Sequence, residues 1–209
     1  YQGDIGLHIG RALYGMMRMT ETMPQEDATD GERAAWLADA YVFGASASAA
    51  APEAKTEINR INKLAYERTD GEINKWYDLG RRWSLEHFEV LYKKLGTKFD
   101  YYIFESEVAE SGMQVVREYL KRGVFEESEG AIIFDGEKHG LHKRVFITSA
   151  QLPTYEAKDI GNNMLKFVKE PNLDASHIIT GNEQIEYMKV VLKALEYIRP
   201  DITAKTFHH

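Results

Sequence analysis

Apolar side chains recur every three or four residues through the first half of the chain, which predicts a run of amphipathic helices. The first pattern predicts a helix from Leu7 to about Met23, followed by an acidic, polar loop over 24–31. A second helix is expected over 34–43, and the Ala/Ser-rich residues 45–51 retain helical propensity. A third helix, about six turns long, is expected to end at Gly96. Its apolar stripe consists of Ile73, Trp76, Gly80, Trp83, His87, Leu91 and Leu95.

Beyond Gly96 the pattern alternates between short β-prone runs and helical periodicity. Two of the expected strands flank a DGEK turn and predict a two-stranded ribbon. In the last unit a strand is followed by a turn at Gly181 and by Asn182 as a helix cap, which is typical of a Rossmann-type sheet. The expected strands are 99–104, 131–134, 144–148 and 177–180, and the expected helices are 106–122, 154–168 and 182–198.

These elements predict an α/β fold in which part of a Rossmann-type core carries a largely helical insertion. We expect a core segment over 1–23, the helical insertion over 24–95 and an α/β core segment over 96–209. Ligands of such sheets bind at the carboxyl ends of the strands. The turn at Gly181 is therefore a candidate binding site.

Charge and composition narrow the function classes. Lys and Arg number 26 and Asp and Glu number 33, so the net charge is −7. An acidic chain is poorly suited to coating nucleic acid by charge alone, so we expect most RNA contacts to lie elsewhere or on a local basic patch. The chain has no cysteine, which excludes disulfides and thiolate nucleophiles and is compatible with an intracellular location. No apolar run is long enough for a membrane helix. The start at Tyr1, without an initiator Met, suggests a cut within a larger protein.

Four stretches carry candidate chemistry: 2–8 (QGDIGLH), 101–107 (YYIFESE), 152–160 (LPTYEAKDI) and 180–184 (TGNEQ). Taken singly, each has an ordinary structural explanation. Asp4 suits a turn, Glu105 suits the positive end of a helix, and Thr154 suits a helix cap. The histidines have no spacing typical of a metal site, and no arrangement supports nucleophilic catalysis. We therefore predict neither a metal ligand nor a catalytic side chain in this chain.

Taken together and in order, the four stretches resemble arginyl-tRNA synthetases over almost the whole chain. Residues 1–8 (YQGDIGLH) resemble the segment that follows the His-Ile-Gly-His helix of that family. Residues 130–136 (GAIIFDG) and 152–159 (LPTYEAKD) resemble its path into the arginine pocket, and the second of these is the most specific match. Residues 8–11 (HIGR) superficially match the family's His-Ile-Gly-His, but that signature belongs upstream of Gln2. No Lys-Met-Ser-Lys-Ser segment is present, so we expect an internal fragment of the catalytic domain.

The resemblance implies an arginine–tRNA ligase, a class I enzyme that forms arginyl-adenylate from arginine and ATP and passes arginine to tRNA(Arg). It implies ATP with Mg²⁺ as a substrate complex, no tightly bound cofactor and a cytoplasmic location. By this resemblance the arginine pocket contains Glu105, Tyr155, Asp159 and Gln184. A guanidinium is planar and permanently charged, and carboxylates meet it bidentately.

The resemblance also implies ATP contacts at Gly181 and Glu183, with Asp4 and His8 lining the same cleft. Many relatives have Gly at the position of Phe104 and Gln at the position of His8. The resemblance therefore does not decide which residues form the rim of the pocket. Most tRNA contacts are expected outside this chain, which should be inactive alone. Two alternatives remain open: a non-catalytic arginine-binding or regulatory module derived from such an enzyme, and an α/β interaction protein whose helical insertion binds a partner.

Overall fold

The computed structural model describes residues 1–209 and divides into two compact units. One contains Gln2–Tyr102; the other contains Ile103–His209 together with Tyr1. The helical and the mixed parts of the sequence pattern therefore correspond to different units. The assignment of 1–23 to a catalytic core and of 24–95 to an insertion stays a prediction. None of the helices combines the length and the apolar character needed to cross a bilayer.

The unit of Gln2–Tyr102 is built from four helices, whose ends follow ordinary capping chemistry. Thr29 and Glu32 form a reciprocal capping box at the start of the second helix. Asp70 accepts two backbone N–H groups at the start of the fourth, and Gly96 ends it with a φ of +67°. The helices are α1 (Leu7–Met16), α2 (Asp30–Ala50), α3 (Pro52–Glu67) and α4 (Gly71–Leu95).

Sequence periodicity predicted α1, α2 and α4, with two differences in length, but it gave no prediction of α3. The Ala/Ser-rich stretch is helical and belongs to α2, as its propensity suggested. The first helix ends at Met16 rather than near Met23, because a separate 3-10 turn, Thr20–Thr22, follows it. In the core of this unit Trp36 of α2 meets Trp83 of α4 edge-on, with ring centroids 5.9 Å apart.

The expected strand over 99–104 is wrong, because the structure has no strand there. Its aromatic residues pack on one another and on the end of α4 instead. Tyr92 meets Phe99 edge-on at 4.9 Å between ring centroids, and Phe99 meets Tyr102 in the same way at 5.8 Å. β-Propensity largely reflects packing against neighbouring strands, and here the rings find that packing against a helix.

The second unit is α/β with small sheets. Its helices are α5 (Glu105–Leu120), α6 (Tyr155–Lys169), α7 (Ile185–Ile198) and α8 (Pro200–Thr203). Its strands are β1 (Glu126–Ser128), β2 (Ala131–Phe134), β3 (Arg144–Ile147), β4 (Ser176–Ile178) and β5 (Thr206–His208). The first three form an antiparallel sheet in the order β1-β2-β3, and β4 and β5 form a parallel pair. The predicted ribbon is thus confirmed as β2–β3, while β1 and β5 carried no clear signal.

The core of this unit lies between the antiparallel sheet and the helices. The rings of Phe125, Phe134 and Phe146 pack against one another at steep angles within it, and the closest pair, Phe125 and Phe146, has ring centroids 4.9 Å apart. Ile160 of α6 and Leu195 of α7 are fully buried against the same cluster. The antiparallel sheet thereby fixes one side of α6.

Helices α5 and α6 cross at very short range, and two glycines permit it. A Cβ on Gly112 of α5 would lie 2.0 Å from the carbonyl oxygen of Ala157. A Cβ on Gly161 of α6 would lie 2.5 Å from the carbonyl oxygen of Val108. Both separations are far below contact distance, so only glycine allows this approach. The crossing sets the start of α5 beside the start of α6, which positions the candidate site.

Candidate functional site

Glu105, the first residue of α5, is buried and paired with a buried lysine. The ammonium of Lys158 on α6 donates to Glu105 Oε2, and the two side chains are 3% and 7% exposed, respectively. Burying either charge alone would be strongly unfavourable, so each one makes the burial of the other tolerable. Glu105 is therefore an interior acid rather than the surface residue that its helix-start position alone suggests.

Tyr155 contacts the same lysine from the first position of α6. The Lys158 Nζ atom lies 4.4 Å from the centroid of the Tyr155 ring, and Tyr155 is 54% exposed. A cation over an aromatic face is stabilised by the quadrupole of the ring. Lys158 thus links two of the predicted pocket residues, Glu105 and Tyr155, although they lie far apart in sequence.

Asp159 lies one residue further along α6, and its carboxylate accepts a hydrogen bond from Tyr187 Oη on α7. Burial raises the pKa of Asp159, while the Tyr187 hydrogen bond and the charge of Lys166 oppose that rise. Burial together with the Asp159 charge raises the pKa of the Tyr187 hydroxyl, which therefore remains a donor at neutral pH. Glu105 and Tyr155 thus share a contact with Lys158, and Asp159, the next residue of α6, contacts α7 through Tyr187. The convergence of all three on one pocket stays a prediction.

A second acid–base pair flanks this point. Buried Glu156 lies 3.6 Å from the guanidinium of Arg144 on β3, measured between Oε1 and Nη1. The same guanidinium stands 5.7 Å from the centroid of the Tyr187 ring. Thr154, which occupies the N-cap position of α6, donates from its hydroxyl to the Val145 carbonyl at 2.7 Å rather than capping the helix. These contacts attach the start of α6 to the antiparallel sheet.

The turn before α7 holds three further predicted residues. Gly181, Glu183 and Gln184 lie in or next to a 3-10 turn, Asn182–Gln184, and α7 begins at Ile185. The expected cap at Asn182 is therefore wrong: Asn182 starts the 3-10 turn and forms no side-chain cap hydrogen bond. The Glu183 carboxylate covers the open side of Gly181, since a Cβ there would lie 2.4 Å from Glu183 Oε1. Gln184 is three residues from Tyr187, so this turn and Asp159 belong to one region of the unit.

Asp4 and His8 belong to the helical unit. Asp4 is buried, and its Oδ2 atom accepts from Tyr77 Oη at 3.1 Å and from Arg81 Nε at 2.9 Å, both on α4. Asp4 therefore fastens the start of the chain to α4, whatever further role it has. His8 lies on α1 and is half-buried. Their role as cleft-lining residues stays a prediction.

Sequence reasoning missed the partners that define this region, namely Lys158, Tyr187, Arg144 and Glu156. Each is a residue type that is common on protein surfaces, so its position in the sequence does not mark it as part of a site. One signal was available for Lys158, which lies between Ala157 and Gly161. Small residues at helical spacing mark close helix packing, and a lysine among them is a candidate for burial.

Comparison with known proteins identifies the relatives of the chain. No family model matches it. An arginine–tRNA ligase of Borreliella afzelii is 28% identical over 98% of this chain, and one of Bdellovibrio bacteriovorus is 26% identical over 100% of it. Its homologues are arginyl-tRNA synthetases. The chain spans 36% of the length of each of these two relatives.

The fold agrees with that relationship. The arginyl-tRNA synthetase of Plasmodium falciparum superposes with a TM-score of 0.68 over 98% of this chain and 34% of its own, at 17% identity. The synthetase of Thermus thermophilus gives a TM-score of 0.55 over 99% of this chain and 40% of its own, also at 17% identity. This chain therefore has the fold of a section of an arginyl-tRNA synthetase.

Proposed function

We propose that this chain is a section of the catalytic domain of an arginine–tRNA ligase. The complete enzyme would activate arginine with ATP and Mg²⁺ as a substrate complex and transfer the arginine to tRNA(Arg) in the cytoplasm. The observation that supports this most is the alignment of 98–100% of the chain with arginine–tRNA ligases. We further propose that the parallel β4–β5 pair belongs to a Rossmann-type class I sheet, to which the rest of the enzyme contributes strands.

Within this section we propose an arginine pocket at the start of α6, formed by Glu105, Tyr155, Asp159 and Gln184. Proximity supports it, because Glu105 and Tyr155 share Lys158 while Asp159 follows Lys158 directly. Chemistry supports it as well: carboxylates pair with a guanidinium bidentately, and Asp159 is a partly buried carboxylate.

We propose that ATP lies beside the turn before α7, near Gly181 and Glu183. This turn follows the parallel strand β4, and ligands of parallel sheets bind at the carboxyl ends of strands. Activation requires stabilisation of the charge that develops on the transferring phosphate. In the family those donors come from the His-Ile-Gly-His and Lys-Met-Ser-Lys-Ser segments, neither of which this chain contains.

The test is arginine-dependent ATP–pyrophosphate exchange by the protein that the complete gene encodes, beside the 209-residue chain. We expect exchange by the complete protein and none by this chain alone. Asp159→Ala in the complete protein should lower kcat/KM for arginine. The decrease should correspond to a loss of about 2–5 kcal/mol in transition-state stabilisation, the usual cost of removing one partner of a buried charge pair. Asp201→Ala, which removes an exposed acid on α8, is the matched control.

The outcomes separate the candidate functions. A complete protein that binds arginine without catalysing exchange would be the non-catalytic arginine-binding module. A complete protein with neither activity would contradict the proposal. Exchange unaffected by Asp159→Ala would leave the ligase standing but refute the pocket.

A further inference from the structure

Three acidic side chains lie at the starts of α5 and α6: Glu105 and Glu156 are buried, and Asp159 is partly buried. The first two have a cationic partner inside the protein. Glu105 is paired with Lys158, and Glu156 lies within 3.6 Å of Arg144. Asp159 forms no ion pair; its hydrogen bond comes from the neutral hydroxyl of Tyr187. The negative charges of two acids are thus matched internally, and the third is oriented without being neutralised.

Lys166 is the cation on α6 that acts on Asp159 most strongly, and it does not alter this count. It forms no salt bridge with Asp159, and the two side chains act on each other electrostatically. Burial lowers the pKa of Lys166 itself. Because a partly buried carboxylate without an ion pair is poorly solvated, it favours a cation supplied from outside.

We propose that Tyr187 is a positioning residue: its hydroxyl holds Asp159 so that this carboxylate, rather than Glu105, carries the charge that selects the guanidinium of arginine. Glu105 then contributes to the pocket through Lys158, whose ammonium it fixes beneath the Tyr155 ring. This inference rests on the proposed function, since it takes arginine as the ligand of the site.

The choice of a phenol as the positioning group has a chemical reason. A lysine or arginine in its place would neutralise Asp159 and compete with the substrate, whereas a neutral donor fixes the carboxylate and leaves its charge available. The Tyr187 hydroxyl donates to Oδ2 of Asp159, which leaves Oδ1 of that carboxylate for the ligand. Citrulline, which has a urea in place of the guanidinium, would leave the charge of Asp159 unmatched and should be rejected.

The arrangement also predicts a pH dependence. The groups that act on Asp159 and Tyr187 are Glu156, Lys158 and Lys166 on α6, Arg144 on β3, and Tyr1. Since burial raises the pKa of Asp159, arginine must displace a proton from part of the population over a pH range that extends above the ordinary range of an Asp carboxyl. Affinity for arginine should therefore rise with pH until Asp159 is fully ionised.

The experiment is titration of the 209-residue chain with L-arginine and with L-citrulline, followed by NMR, from pH 4 to pH 8. The ¹³C shift of the Asp159 carboxyl reports its ionisation. Variants Tyr187→Phe and Asp159→Asn are compared with the control Tyr197→Phe, which removes a hydroxyl from the exposed end of α7. We expect Tyr187→Phe to weaken arginine binding about tenfold or more, the usual value of a hydrogen bond to a charged group. Tyr197→Phe should bind as the parent chain does.

A purely structural role for Tyr187 would leave the pH profile unchanged. Loss of its hydrogen bond should instead move the rise in affinity to higher pH, because that bond favours the ionised carboxylate. Asp159→Asn should abolish the pH dependence of arginine affinity, and Glu105→Gln should keep it. Should Tyr187→Phe fail to fold, the ¹³C titration of the unmodified chain decides: an Asp159 signal that arginine does not shift overturns the inference.

Failure of the proposed function and failure of the role of Tyr187 would give different results. If the unmodified chain and the complete protein both bind no arginine, the proposed function fails, and this inference with it. If arginine binds but Tyr187→Phe has the same affinity and pH profile, only the role of Tyr187 is overturned. If Glu105→Gln abolished the pH dependence of arginine affinity and Asp159→Asn kept it, Glu105 rather than Asp159 would be the carboxylate that selects the guanidinium.

Discussion

Replacing Lys158 with Met tests the central contact of the candidate site. Methionine keeps most of the apolar length of the side chain but removes the ammonium, so Glu105 loses its cationic partner in an interior position. Breaking a buried ion pair by removing one partner costs about 3–5 kcal/mol, because the remaining charge is neither paired nor solvated. Loss of the cation over Tyr155 adds about 0.5–1 kcal/mol.

This magnitude should be visible in thermal unfolding. For a chain of this size 1 kcal/mol corresponds to about 2–4 °C in Tm, so 3–5 kcal/mol predicts a decrease of about 6–20 °C. Lowering the pH protonates the orphaned carboxylate, and the deficit should then shrink. The assay is Tm by circular dichroism at neutral and acidic pH, with urea unfolding for the free energy.

Two further variants separate the pair from its individual side chains. In Glu105→Gln with Lys158→Met both charges are absent, so the double variant should lose clearly less than the sum of the single losses. The matched control is Lys189→Met on α7, which removes an exposed lysine that lies 2.6 Å from Glu186. Such surface pairs contribute about 0–1 kcal/mol. A loss below 1 kcal/mol for Lys158→Met, or strictly additive losses in the double variant, would show that Lys158 and Glu105 do not stabilise the fold as a buried ion pair.

Two other predictions follow from the same unit. Asp159→Asn should stabilise the chain at neutral pH, because the pKa of Asp159 is raised in the folded state and its ionisation therefore opposes folding. The difference in stability between variant and parent is absent below the ordinary pKa of 3.8 and grows as the pH rises through the folded-state pKa. A Tm difference that does not depend on pH would contradict this. Gly112→Ala should destabilise by about 1–3 kcal/mol or more through a clash with the Ala157 carbonyl, whereas Gly31→Ala, which has open space around it, should be nearly neutral. Equal Tm values for the two glycine variants would show that α5 and α6 separate at no cost.

Local pattern was enough to predict most of the helices and one sheet. Apolar spacing marked α4, the Ala/Ser-rich stretch proved helical, and the ribbon of β2 and β3 was found around its turn. Each of these depends on neighbours within a few residues. The strand expected over 99–104 failed for a related reason: aromatic residues favour strands only where a strand partner exists, and here Phe99 and Tyr102 pack against Tyr92 of α4.

The partners within the candidate site were decided by tertiary structure. The residue types and order of Glu105, Tyr155 and Asp159 were visible in the sequence and supported a guanidinium site, but nothing local distinguished an enclosed acid from a solvated one. Lys158 and Glu105 are 53 positions apart, and they meet because Gly112 and Gly161 let α5 and α6 cross within van der Waals range. Tyr187 reaches Asp159 because α7 packs beside α6. Charge pairing in an interior is set by which helices touch, and only the packing of the whole unit determines that.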